Sequence, residues 1–234
     1  MADSSTRDHI LLTAGKVFAE CGFQQTTVRE ICTRAGVNLA SVNYYFGDKE
    51  TLYLEAVQMA HRSRAGEVPL PDWSEDVAAE ERLSDFIRTL LTRMIGGDRL
   101  PWQSRLMMRE VLNPSHACEQ LVKGHFRPHF ELLLNILDRL MPSGTPLHER
   151  QQMAFSIIGQ CLYYRVSGSV VTLLVDEKTH SKYYSVDQLA AQIARFSLLS
   201  LEQMRVVSRR ADDAFQVDED CVSQRSESLQ NLPS

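Results

Sequence analysis

Apolar side chains recur along this chain at the spacing of an α-helix, and no segment sustains the alternation of a half-buried strand. Ile10, Ala14, Val17, Phe18 and Cys21 fall at i, i+4, i+7, i+8 and i+11, one stripe of a first helix that should end near Gly22. Val28, Ile31, Cys32 and Ala35 mark a short second helix, and Thr27 and Glu30 before it have the spacing of a capping box. Gly36 should break that helix. Asn38 is placed to cap a third, Leu39 to Tyr45. Asp48 is placed to cap a fourth, with Leu52, Tyr53, Ala56, Val57 and Ala60 on its inner face.

Residues 65–74, AGEVPLPDWS, hold two prolines and little periodicity, so a loop is expected there. Longer amphipathic segments come near 75–95, 101–112, 115–141, 147–168 and 186–208, the third of them expected to kink or split at Pro128, near Phe126. From Arg209 the chain is polar, mostly acidic and aperiodic, the composition of a disordered tail. The expectation is an all-α protein: a three-helix helix-turn-helix head over residues 1–50, a larger helical bundle over 51–208, and a tail at 209–234.

Composition excludes more than it selects. Hydrophobic residues at 44% and charged residues at 24% are ordinary for a globular chain. The longest apolar stretch, Ile157 to Val175, is interrupted by Gln160, Arg165, Ser167 and Ser169, whereas a membrane span needs roughly 18 or more apolar residues in a row. It reads as buried helix, and no membrane partner is expected. The start, MADSSTRDHI, has no secretory apolar core. The cysteines, Cys21, Cys32, Cys118, Cys161 and Cys221, are odd in number and never form CxxC, which favours free thiols in a cytoplasmic protein.

The most informative stretch is Thr26 to Leu52, TTVREICTRAGVNLASVNYYFGDKETL. Two short helices joined by a glycine-containing turn form a DNA-reading unit when three positions inside the unit fit. Cys32 is small enough for close helix approach, Gly36 permits the left-handed turn, and Val42 can plug into the first helix. The outward face of the third helix then holds Asn38, Leu39, Ala40, Ser41, Asn43 and Tyr44, short or polar side chains suited to base edges in the major groove. Tyr45, Lys49 and the Thr27 hydroxyl lie at its rim, in reach of phosphates, as does the amide end of the fourth helix. Charge argues the other way. Net charge is −5, and residues 1–60 carry five basic side chains (Arg7, Lys16, Arg29, Arg34, Lys49) against seven acidic ones. A compact hairpin with an incidental glycine is the plainer alternative.

These residues resemble the TetR family of regulators. The resemblance is carried by F-x-x-x-G at Phe18–Gly22, T-T-V-R-E-I at Thr26–Ile31, A-G-V at Ala35–Val37, and Y-Y-F-G-D-K-E-T-L from Tyr44 to Leu52. It covers about the first 55 residues. It implies an all-α homodimer with a ligand-binding C-terminal domain, phosphate contacts by Lys49, Tyr45 and Thr27, and base reading by Leu39 to Tyr44. Farther on, R-E-V-L-N-P-S-H-A (Arg109–Ala117) and H-F-R-P-H-F (His125–Phe130) resemble the CecR-type subgroup and imply no particular ligand. The head is less basic than in many relatives.

The expected function is thus a ligand-responsive regulator, most readily a repressor, that binds operator DNA as a homodimer and is released by a small-molecule effector. The alternative is a small-molecule carrier with a vestigial head. An effector pocket is expected among Trp102, Arg105, Leu106, Met107, Arg109, Phe126, Phe130, Tyr163 and Tyr164, with Arg109 or Arg105 fixing an anionic group. Dimer contacts are expected in Met153–Gly168 and Leu189–Met204. His125 and His129 have a metal-binding spacing, but Pro128 disturbs their helix and no carboxylate is in register, so no metal is expected. No G-x-S-x-G, phosphate loop, H-E-x-x-H or dinucleotide fingerprint occurs, and Cys161 lies in an apolar segment; no enzyme activity or cofactor is expected.

Overall fold

The structure, a computed structural model, describes residues 2–97 and 101–207. The expected tail at 209–234 lies outside the described residues. Among those residues the fold is all α-helical: α1 (Ala2–Gln25), α2 (Val28–Ala35), α3 (Leu39–Phe46), α4 (Lys49–Glu67), α5 (Ala79–Ile95), α6 (Pro101–Leu112), α7 (Ala117–Leu121), a π-helical turn (Val122–Phe126), α8 (Arg127–Leu140), α9 (Leu147–Val166), α10 (Gly168–Leu174), α11 (Glu177–Tyr183) and α12 (186–207).

The short helices begin and end where side-chain chemistry says they should. Gly22 (φ 80°, ψ 167°) turns the chain off the axis of α1. Thr27 Oγ1 accepts the Glu30 amide at 3.2 Å and starts α2. Only half of the expected capping box is drawn this way, because the Glu30 carboxylate takes Arg34 at 2.8 Å. Gly36 (φ 65°, ψ 32°) is left-handed, and behind it the Val37 amide returns to Cys32 O at 3.0 Å, the bond of a Schellman stop. Asn38 Oδ1 accepts the Ser41 amide at 2.8 Å to start α3, and Asp48 Oδ1 the Thr51 amide at 2.7 Å to start α4.

Several boundaries differ from expectation. The loop after α4 runs over 68–78 rather than 65–74. Val68 is the first residue that a nearby proline pushes out of the helical region, so α4 continues to Glu67. The segment near 115–141 splits into α7, the π-helical turn and α8. Pro128 sits in the first turn of α8, where its missing N–H is tolerated, and the Arg127 amide before it bonds Val122 O in the wider π-type turn. The stretch from Ile157 to Val175 is not one buried helix. α9 ends at the Ser167–Gly168 pair and α10 leaves it bent by 74°, with Val170 half-exposed and Leu173 87% exposed. No single described helix is long and apolar enough to cross a membrane.

Buried apolar residues gather into two cores. The first joins the head to α6 and α7: Ile10, Val17 and Phe18 of α1, Ile31 of α2, Val42 and Phe46 of α3, Leu52 to Ala60 of α4, Trp102 and Leu106 of α6, and Leu121 of α7. The second is built by α5, α8, α9 and α12 around Leu83, Ile87, Leu133, Leu137, Ile157 and Ile193. Each fully buried Leu, Ile or Phe contributes about 1.5–3 kcal/mol, against about 1 kcal/mol for a cap. Burial therefore holds the head on α6, and the caps set only where helices start.

Candidate nucleic-acid interface

α3 has eight residues and too few hydrogen bonds to persist alone. It is held by one stripe, Val42 and Phe46, which are 1% and 4% exposed. Anchoring that stripe turns the opposite face outward. Asn38, Leu39, Ala40, Asn43 and Tyr44 are all exposed, Tyr44 at 77%, and Ser41 is half-buried. Two of these groups are partly committed. Asn38 spends its side-chain oxygen on the cap, which leaves its NH2 donors to face solvent. The Ser41 hydroxyl donates to that same oxygen at 3.0 Å. Phe46 is core, under the Arg7 guanidinium at 4.9 Å, whereas Tyr44 is surface, its ring edge-on to Tyr45 at 5.0 Å.

The rim differs in detail. Thr27 is exposed, and its oxygen accepts the cap bond, so the O–H remains a donor for an outside anion. Tyr45 is half-buried against the first core. The Lys49 ammonium stands 4.4 Å from the centre of the Phe23 ring, which fixes it at the start of α4 beside the free amides of that helix. The Thr51 amide holds the Asp48 carboxyl below the usual carboxylate range, so it stays ionised as a cap. The excess of acids is partly spent inside the head. Arg34 pairs with Glu20 and Glu30, and Arg7 with Glu55. Three of the seven acids are thereby paired with two of the five cations, a cluster that still carries one net negative charge.

The expected effector residues are not brought together. Trp102 and Leu106 are buried in the first core, Trp102 lying over Gly15 of α1. Arg109 is not a free anion anchor, because it donates Nε to Ala19 O at 2.9 Å and Nη2 to Glu20 O at 2.6 Å. Arg105 is exposed. Tyr163 is half-exposed, and Tyr164 lies with Tyr184 beside a surface groove of about 410 Å³. Met107 and Phe126 pack on the first core and Phe130 on the second, where its ring stacks on Phe155 at 4.9 Å.

Two polar groups were not foreseen from sequence, the first at the seam between the two cores, where the spacing of His129 suggests only a metal pair with His125. Arg93 of α5 lies 2.5 Å from His129 of α8 and donates Nε to Val68 O at 2.7 Å, and the His129 ring meets His61 of α4 edge-on at 6.2 Å. His125 of the expected metal pair lies outside the described side chains, and no cluster of three or more His, Cys, Asp or Glu within metal reach occurs among the described residues. The second group is Glu110, 1% exposed, which accepts the Tyr53 hydroxyl. Burial and that hydrogen bond push the Tyr53 phenol well above its usual range. Its signal was present in the sequence. Trp102, Leu106 and Glu110 recur every four residues, so a carboxylate occupies an apolar register of α6. Cys161 is fully buried in the second core, its thiol pushed up to about 12 by desolvation, which makes it an inert core residue.

Comparison with known proteins agrees with this arrangement. The profile described as "Bacterial regulatory proteins, tetR family" matches residues 10–56. That of "HTH-type transcriptional dual regulator CecR, C-terminal domain" matches residues 79–201. The chain is 25% identical over 181 residues to the HTH-type transcriptional dual regulator CecR of Shigella flexneri, spanning 71% of this chain and 78% of that protein. It is 32% identical over 111 residues to the HTH-type transcriptional regulator RutR of Escherichia coli K12, spanning 47% and 50%. Its fold resembles the crystal structure of a TetR-family regulatory protein from Rhodococcus RHA1, with a TM-score of 0.59 at 18% identity over 85% of this chain and 96% of that one. With the head matching one profile and the larger share of the chain the other, the protein belongs to the TetR family of transcriptional regulators and carries a C-terminal domain of the CecR type.

Proposed function

We propose that the protein is an effector-responsive repressor, acting in the cytoplasm, that holds operator DNA as a homodimer through α3 and lets go when a small molecule binds the larger domain. The observation that carries this reading is α3 itself. Its core stripe is buried, and the opposite face is an exposed rod of Asn38, Leu39, Ala40, Asn43 and Tyr44, the last 77% exposed. Asn38 to Tyr44 read base edges. Thr27, Tyr45, Lys49 and the first amides of α4 hold phosphates.

The second protomer is held by α9 and α12. Phe155, Tyr163 and Val166 on α9, with Phe196 and Leu199 on α12, are 49–62% exposed on a single chain. Apolar side chains gathered this way mark an interface, and a two-fold axis through them makes a four-helix contact. The effector acts at the seam between the cores, which His61 of α4, Arg93 of α5 and His129 of α8 span. A ligand preferring one seam geometry shifts the population toward it, and the coupling equals its difference in affinity for the two states. Gel shifts with DNA from upstream of the protein's own gene, at low and physiological salt, test the reading. Saturable retardation that weakens with salt is expected. Undiminished small-molecule binding by a protein that retards no DNA at either salt would instead favour the carrier with a vestigial head.

A further inference from the structure

The corner between α6 and α7 grips the head at three places. Arg109 holds two carbonyls of α1, Ala19 O at 2.9 Å and Glu20 O at 2.6 Å, just before Gly22 turns the chain. A Cβ on Gly22 would stand 3.0 Å from Arg109 Nη1, so the glycine that kinks α1 also admits this guanidinium. Glu110 accepts the Tyr53 hydroxyl of α4 through one oxygen. Through the other it accepts the Ser115 amide at 3.2 Å and hydroxyl at 2.9 Å. His116 lies edge-on to Phe23 at 5.0 Å and 3.3 Å from Glu50 in the first turn of α4. Phe23 is the ring that carries Lys49.

A buried carboxylate is a costly way to join two helices. An apolar pair of the same size would hold them as well or better, but it would tolerate sliding, which a satisfied polar network does not. The network therefore contributes angle rather than strength. It fixes the first turn of α4 against α6, and with it Lys49 and, through Val42 and Phe46, the tilt of α3.

We propose that Glu110 and Arg109, with Tyr53 as partner, are positioning residues for DNA binding: they touch no nucleic acid and set the direction in which α3 and Lys49 face it. This rests on the reading of α3 as the DNA-binding helix. Tyr53→Phe in the full chain keeps the ring that packs on Phe18 at 4.8 Å and removes only the hydroxyl. Two measurements are made on it. In the free protein, amide hydrogen exchange should speed up about tenfold across residues 44–53 while α5 and α8 keep their rates, and Glu110→Gln should give the same pattern. On operator DNA, affinity should fall about tenfold with the salt slope unchanged, since no phosphate contact is lost. Exchange that is unaltered, or raised evenly over the whole chain, overturns the proposal, as does a changed salt slope. A parent protein that binds no DNA would overturn the regulator reading, while the exchange pattern would still decide whether this network holds α4.

Discussion

An alanine at position 36 would place its Cβ in open space, yet the backbone there stands at φ 65°, where side chains other than glycine pay about 1–2 kcal/mol. Gly36→Ala should therefore lower stability by about 1 kcal/mol in denaturant unfolding without altering the buried core. A loss near zero would mean the turn between α2 and α3 relaxes freely. At the face of α3 the tests concern roles. Lys49→Ala should weaken binding to every DNA sequence alike and reduce the salt slope by about one. Asn43→Ala should change the preferred sequence more than the overall affinity. An equal loss on all sequences would remove Asn43 from base reading. The overall salt slope should itself be shallow for the family's task, because Arg7 and Arg34 are committed to Glu55, Glu20 and Glu30. Residues of this kind were legible when their role came from chain-local chemistry: the caps Thr27, Asn38 and Asp48, the turn glycine, the exposed face. The partners of Lys49, Arg109 and Glu110 were not legible. Phe23, the carbonyls of α1 and Tyr53 lie tens of residues away, and no periodicity encodes which distant group a side chain meets.

Short elements are decided by their ends, long ones by the surface they bury. α3 takes its start from Asn38, and Asn38→Ala should cost about 1 kcal/mol and weaken DNA binding by loosening its first turn. Circular dichroism and the unfolding midpoint would show the first effect; unchanged stability would mean packing of Val42 and Phe46 alone holds the helix. Helix existence was readable throughout from the 3.6-residue period. Misreadings fell where one period passes over a break. Apolar residues continue from α9 across Ser167 into α10, so the pattern alone gave one buried helix where there are two, the second largely bare. Pro128 was a dependable marker because it removes a donor, and the π-helical turn ends immediately before the helix in whose first turn that proline sits.

For the whole molecule, the proposed dimer assigns the apolar side chains left outside on α9 and α12 to a second copy. Leu199 is 57% exposed in the protomer. Leu199→Glu should therefore yield a monomer by sedimentation with little change in protomer unfolding, and the loss of one reading head should abolish binding to a two-half-site duplex. A dimer that survives the change would move the interface elsewhere. The residues expected to form an effector pocket were the ones the fold scattered most. They share an apolar character with the core, and α6 turned out to belong to the core of the head. The measurement that bears most directly on two α3 rods sharing one double helix is a footprint of the purified protein on its upstream DNA, paired with the stoichiometry of the complex. Expected are two protected half-sites related by two-fold symmetry, about one helical turn (34–36 Å) or somewhat more apart, with both lost when Asn43 and Tyr44 are replaced by alanine. Protection of a single half-site by one protomer, or a footprint indifferent to those two residues, would contradict it.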